Sequence, residues 1–136
     1  MSIDEAREIL YQLWATEWGT TTAYVFGNEG SSDLDEGEDP FASVSVVEVG
    51  GGQRTLGGDG LRRFKRDILI VVALYVPKDA GMSQSGTLAN AARDVFESKT
   101  TSQVYTNDAR VIDVGISDDK WKRTNVEIDG WFEDTK

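Results

Sequence analysis

Nine residues in a row, Ile68 to Val76, are apolar apart from the hydroxyl of Tyr75. A strand with one face in water alternates apolar and polar side chains; this one does not, which predicts cover on both faces. The six residues before it, Arg62 to Asp67 (RRFKRD), carry charge on both faces of the same strand. The strand, read as Leu61 to Val76, therefore starts in water and ends in a core. Helices would cover one side of its apolar half, and a neighbouring subunit or an irregular segment the other. Such a shape suits an arm reaching from a small domain toward a partner, and it points to assembly rather than to chemistry.

The chain has 136 residues, enough for one domain with one real core, and residues 1–136 are read as a single domain. No apolar run reaches the roughly 20 residues a membrane helix needs, so no membrane partner is expected. The N-terminus, MSIDEAREIL, is acidic and amphipathic, unlike a signal peptide. Cysteine and histidine are both absent, which removes disulfides, Ser-His-Asp and Cys-His nucleophiles and zinc sites. Cytoplasmic synthesis is the default expectation. The net charge of −10 is lopsided: residues 1–61 hold twelve acids and two bases, while residues 62–136 hold twelve of each. A generic nucleic-acid grip, which wants a basic surface, is not expected.

Ser2 and Glu5 form the S-x-x-E pattern of a capping box, and Ala6, Ile9, Leu10, Leu13 and Trp14 follow at helical spacing. They predict a helix over Ile3 to Trp18, stopped by Gly19. Ala23 to Phe26 reads as a short strand, and residues 28–40, with six acids, two Gly and one Pro, as a solvated loop. Phe41 to Val49 reads as a strand. Residues 50–60 hold six Gly and read as a long hairpin tip before the central strand, which ends at Pro77. Leu88, Ala91, Ala92, Val95 and Phe96 make the apolar stripe of a second helix, with Asn90, Arg93, Asp94 and Glu97 on its wet side and Ser83 or Ser85 as its cap. Two strands close the chain. Ile112, Val114 and Ile116 share a face in one; Val126, Ile128 and Phe132 oppose Glu127, Asp129 and Trp131 in the other. The order αβββαββ predicts an α+β fold: a mainly antiparallel sheet of four to five strands, two helices on one face, and an extended β-hairpin arm.

No constellation of chemical groups stands out. The acidic loop has D-x-D-x-G-x-D spacing, but the calcium-loop pattern wants Gly and Glu where Glu38 and Val44 stand. Gly52 to Gly57 has the first P-loop spacing, but Gly58 and Asp59 replace the Lys and Ser/Thr. No cofactor or metal is expected. Asp67, Asp113, Glu127 and Asp129 lie on strands, and nothing in the sequence brings any two together as a catalytic pair. Arg54, Arg62, Arg63, Lys65 and Arg66 cluster around the hairpin. They read either as a solvated arm whose charge blocks edge-to-edge aggregation, or as a docking surface for an acidic partner. Contact with DNA passing through a ring is a third reading. The acidic loop, with Asp33, Asp35 and Glu36, could be that partner in an adjacent copy, and head-to-tail pairing of that kind closes into a ring when the rotation permits. Trp131 falls on the charged face of its strand, either as a core plug or as an interface residue. Trp14 belongs to the helical core stripe.

Taken together, these segments resemble the tail terminator proteins of long-tailed bacteriophages. The likeness rests on the N-terminal amphipathic helix, the strand FKRDILIVVALYVPKDAG with its P-x-x-x-G ending at Pro77 to Gly81, the helix TLANAARDVFE, and the closing strands VIDVGIS and WKRTNVEIDGWFED with Trp121 early in the last. The acidic stretch 28–40 is longer and more charged than that pattern. The resemblance implies a structural protein of the virion and no enzyme. It implies a hexameric ring on the last ring of the tail tube, which stops polymerisation and offers a surface to the head-completion or connector protein. Its partners would be copies of itself, the tube protein, the connector, and DNA in the lumen without sequence specificity. Its place would be the head-proximal end of the tail, after assembly in the bacterial cytoplasm. A neck or head-completion protein, a monomeric peptide- or ligand-binding module, and a small carboxylate enzyme are the competing readings.

Overall fold

The computed structural model describes residues 1–27, 37, 39–53, 58, 62–116 and 120–135. Helix α1 (Ile3–Trp18) is followed by strands β1 (Ala23–Phe26), β2 (Phe41–Gln53) and β3 (Arg63–Pro77), helix α2 (Met82–Phe96), and strands β4 (Thr100–Thr101), β5 (Val104–Ile116) and β6 (Trp121–Thr135). The strands form one sheet in the order β1-β2-β3-β6-β5-β4.

The α+β class holds, with two corrections. Among the described residues the sheet has six strands rather than four or five, because the two-residue β4 adds an outer strand beside β5. It is also mixed: β1 lies parallel to β2, Ala23 opposite Phe41, while every other pair is antiparallel. The connection from β1 to β2 spans residues 27–40, long enough for the chain to return to the same end of the sheet, as a parallel pair demands.

Helix α1 begins where the capping box predicts. The backbone N–H of Glu5 donates to the Ser2 hydroxyl at 3.2 Å, and Gly19 ends the helix in the left-handed region at φ 57°. Helix α2 differs at its start. Gly81 is its N-cap without a side-chain bond, while Ser85 donates back to the Met82 carbonyl at 3.1 Å. Serine hydroxyls inside a helix turn to the preceding backbone in this way, so neither Ser83 nor Ser85 caps it. Ala89 is buried in place of Ala91, and Arg93 and Glu97 are half-buried rather than wet.

Both helices pack on one face of the sheet. Ala6, Leu10, Trp14 and Trp18 of α1 and Leu88, Ala92, Val95 and Phe96 of α2 cover Val44, Val46, Ile70, Val72, Val126 and Ile128. Trp14 joins the layers: it stacks on Trp18 at 4.3 Å and on Phe96 at 5.9 Å, and meets Tyr24 edge-on at 6.0 Å.

Among the described residues, three bulges interrupt the ladders. Val49 is the extra residue between Glu48 and Gly50 in β2, Asn107 and Asp108 lie between Thr106 and Ala109 in β5, and Val114 between Asp113 and Gly115. The last one overturns an expectation from the sequence. Ile112 pairs with Asn125 and Ile116 with Lys122, so the inserted residue resets the phase, and Ile112 and Ile116 lie on opposite faces. Gly51, at φ 134°, is fixed by space as well as by conformation: a Cβ there would lie 1.9 Å from the Lys65 carbonyl oxygen. The turn between β4 and β5 places Ser102 (φ 48°) and Gln103 (φ 72°) in the left-handed region without a glycine.

The corner between α2 and β5 is held by polar bonds. The Thr106 hydroxyl, buried, donates to the Phe96 carbonyl and accepts the Lys99 N–H at 2.9 Å. The Glu97 carboxylate accepts the Ala109 N–H at 2.8 Å, which supplies a partner just past the first β5 bulge.

Candidate assembly interface

The apolar run of β3 sits in the middle of the sheet, between β2 and β6. Its helix-facing residues, Ile68, Ile70, Val72, Leu74 and Val76, are all buried by α1 and α2. On the opposite face Ala73 is buried and Leu69, Val71 and Tyr75 are half-buried. Part of that second cover is the chain's own. At the Pro77 end, Phe41 stacks on Tyr75 at 4.7 Å and meets Trp121 edge-on at 5.1 Å, and Phe41 and Trp121 are both buried. The Arg123 guanidinium lies 5.7 Å from the Tyr75 ring. The chain thus shelters the Pro77 end of this run itself, and leaves Leu69 and Val71 half-buried.

The charged half of β3 is not a free two-stranded arm either. Strand β6 is as long as β3 and pairs with it from Pro77–Trp121 to Arg63–Thr135, so residues 64–67 are flanked by β2 on one side and β6 on the other, and Arg63 by β6. Their charges are largely met within the chain. Arg66 pairs with Asp134 at 3.6 Å and lies 4.9 Å from the Phe64 ring, and the Met1 amino group reaches the other oxygen of Asp134, also at 3.6 Å. Lys65 is 3.4 Å from Asp67 and 5.4 Å from the ring of Trp131. Trp131 in turn stacks on Tyr105 at 4.3 Å, on the face away from the helices, where its phase places it. Arg62 and Arg63 have interactions of their own. Of the other residues singled out in the sequence, Arg54, Asp33, Asp35 and Glu36 lie outside the described residues.

The helix-free face also carries an ion-pair group. Arg110 donates to Asp129 at 2.6 Å and approaches Glu127 at 3.4 Å. The hydrogen bond to Asp129 raises the guanidinium pKa further above its ordinary value, so its charge is fixed at any accessible pH. This group is exposed and screened by salt, which makes it a weak stabiliser. Among the described residues no three potential metal ligands come together, and no helix is long and apolar enough to cross a membrane.

Unsheltered apolar surface lies elsewhere, at the two outer edges. Strand β1 covers β2 only from Phe41 to Val44. Next to it, Arg7 of α1 donates through Nε to the Val46 carbonyl at 2.8 Å. Beyond that, no strand among the described residues pairs with the outer side of β2. At the other end, β4 covers only Val104 and Tyr105 of β5. From Arg110 to Ile116 the described residues put no strand on the outer side of β5. Among the described residues, six of the seven exposed large apolar side chains sit on these two edges: Val47 and Val49 on β2, and Val111, Ile112, Val114 and Ile116 on β5, each 40% to 68% exposed. The seventh, Met82, opens α2. Sequence reasoning singled out neither edge, although the apolar positions of β5 were in view. An unbroken apolar run draws attention, whereas an alternating one looks ordinary until the lack of cover is seen.

No family model and no curated protein matches the chain. One solved structure, whose name carries no functional term, superposes with a TM-score of 0.62 at 12% identity, over 100% of this chain and 96% of its own. At that identity the likeness extends to the fold: a whole-length α+β domain of this kind exists in a protein of nearly equal length.

Proposed function

We propose that this chain is a tail terminator subunit: a structural protein that joins copies of itself into a ring, hexameric by the family resemblance, on the end of a bacteriophage tail tube. The ring stops tube polymerisation and presents a surface to the head-side connector. One observation supports the assembly part of this reading, the concentration of exposed apolar side chains on the two outer edges of a single sheet. Soluble domains blunt such edges with charge or cover, and edges left apolar are templates for another chain. The terminator identity rests on the resemblance of the ordered segments in the sequence. The basic residues 62–66, engaged within the chain at Lys65 and Arg66, contribute to this proposal only through the surface they leave to the tube or to DNA in the lumen.

Native mass measured over a range of protein and salt concentrations tests assembly. With a net charge of −10 on each copy, self-repulsion opposes the ring and salt screens it, so the ring fraction rises with both variables. A chain that stays monomeric throughout overturns the reading. Electron microscopy of the protein mixed with tail tubes tests the terminator role: capped tubes are expected, and rings that bind connectors but never tubes would assign the chain to the neck instead.

A further inference from the structure

Resting on that ring reading, we propose which surfaces join: the outer edge of β5, Arg110 to Ile116, in one copy adds to the outer edge of β2, Val47 to Gly52, in the next, and the sheet continues from subunit to subunit. Strand direction permits it. From β2 through β3 and β6 to β5 each neighbour is antiparallel, so β5 runs opposite to β2. Placing the β2 of a second copy, in the same orientation, beside β5 prolongs the antiparallel alternation without a break. The contact is head-to-tail, the class that generates rings.

The chemistry of the two edges is matched. Val47 follows Phe41, Ser43 and Ser45 on the helix-free face, and Ile112, opposite Asn125, lies on that same face. In a continuous sheet these two apolar side chains come together on one side. Charge is mixed: Asp108 and Asp113 flank the β5 edge, while the β2 edge carries Arg7, itself 3.4 Å from Asp4, and Glu48. Self-pairing of two β5 edges about a two-fold axis would also be antiparallel, but it gathers the aspartates of both copies and leaves the β2 edge bare. The head-to-tail junction uses both apolar edges. Main-chain hydrogen bonds supply affinity in such strand addition, and the alternate side chains supply register.

The absence of cysteine makes the test clean. Val47→Cys and Ile112→Cys are made singly and together at these exposed positions, and the assembled protein is treated with a short bismaleimide. Each single variant should remain uncross-linked on a denaturing gel. An equimolar mixture of the two should yield a dimer, and the double variant a ladder ending at the ring number. Dimers from either single variant alone would show a self-paired edge and overturn the junction. So would a double variant that forms rings by native mass yet gives no ladder; in both cases the ring itself survives. Monomer by native mass at every concentration would instead remove the ring reading, and the junction with it.

Discussion

Strands β3 and the outer half of β5 make opposite use of apolar residues. In β3 the apolar side chains are dense, and the strand lies between two others with helices over one face. In β5, Val111, Ile112, Val114 and Ile116 are interspersed with Arg110, Asp113 and Gly115, yet among the described residues this segment has a strand on one side only and stands exposed. Density of apolar residues reports how many neighbours a strand has inside its own fold. Exposure arises instead where a strand outruns its cover, here where β4 stops after two residues.

The contrast can be broken by truncating one residue in each strand. Ile70→Ala should lower stability by about 2–5 kcal/mol, as deletion from a packed core does, whereas Ile112→Ala should stay within about 0.5 kcal/mol. Denaturant midpoints with unchanged slopes would measure both, and equal losses would sink the distinction. Gly51→Ala should cost about 1–3 kcal/mol, since the added carbon meets the Lys65 carbonyl and the backbone must move. Hydrogen exchange should then show faster opening at the Lys65 end of β3 than at Val72. Thr106→Val should also cost about 1–3 kcal/mol, because it leaves the Lys99 N–H without its hydroxyl acceptor. Ile112→Lys sharpens the comparison differently. A charge on an exposed edge should leave the thermal midpoint nearly unchanged and abolish self-association in native mass, and association that persists would move the interface off β5. The smallest effect expected is a gain: Gln103→Gly relieves a left-handed residue in the β4–β5 turn and should raise stability by up to about 1 kcal/mol.

Much of this fold could be read from local signals. The bounds of α1 follow from Ser2, Glu5 and Gly19, and β1 coincides with the short run Ala23 to Phe26, because caps and short apolar runs are written in adjacent residues. The facing of β6 was equally plain, with Val126, Ile128 and Phe132 buried as the alternation predicts. What escaped depends on distant partners. The parallel pairing of β1 with β2 has no local signature. The full length of β5 was hidden by two bulges, which reset the alternation at Asn107–Asp108 and at Val114. The basic segment looked like a free arm because nothing in residues 62–67 announces that β6, some sixty residues later, runs beside it to Arg63. The edges were missed for the same reason: an edge is defined by the neighbour a strand lacks.

The bulges have a geometric consequence. Each one bends its strand and tightens the local right-handed coil, and they occur on β2 and β5, the two strands that would meet between copies. Subunits joined through flat ribbons would stack into an open fibre without limit. Subunits joined through ribbons that curve would pass a fixed rotation from each copy to the next, and in the proposed ring this accumulated curvature would let a chain of copies return to its start and stop growing.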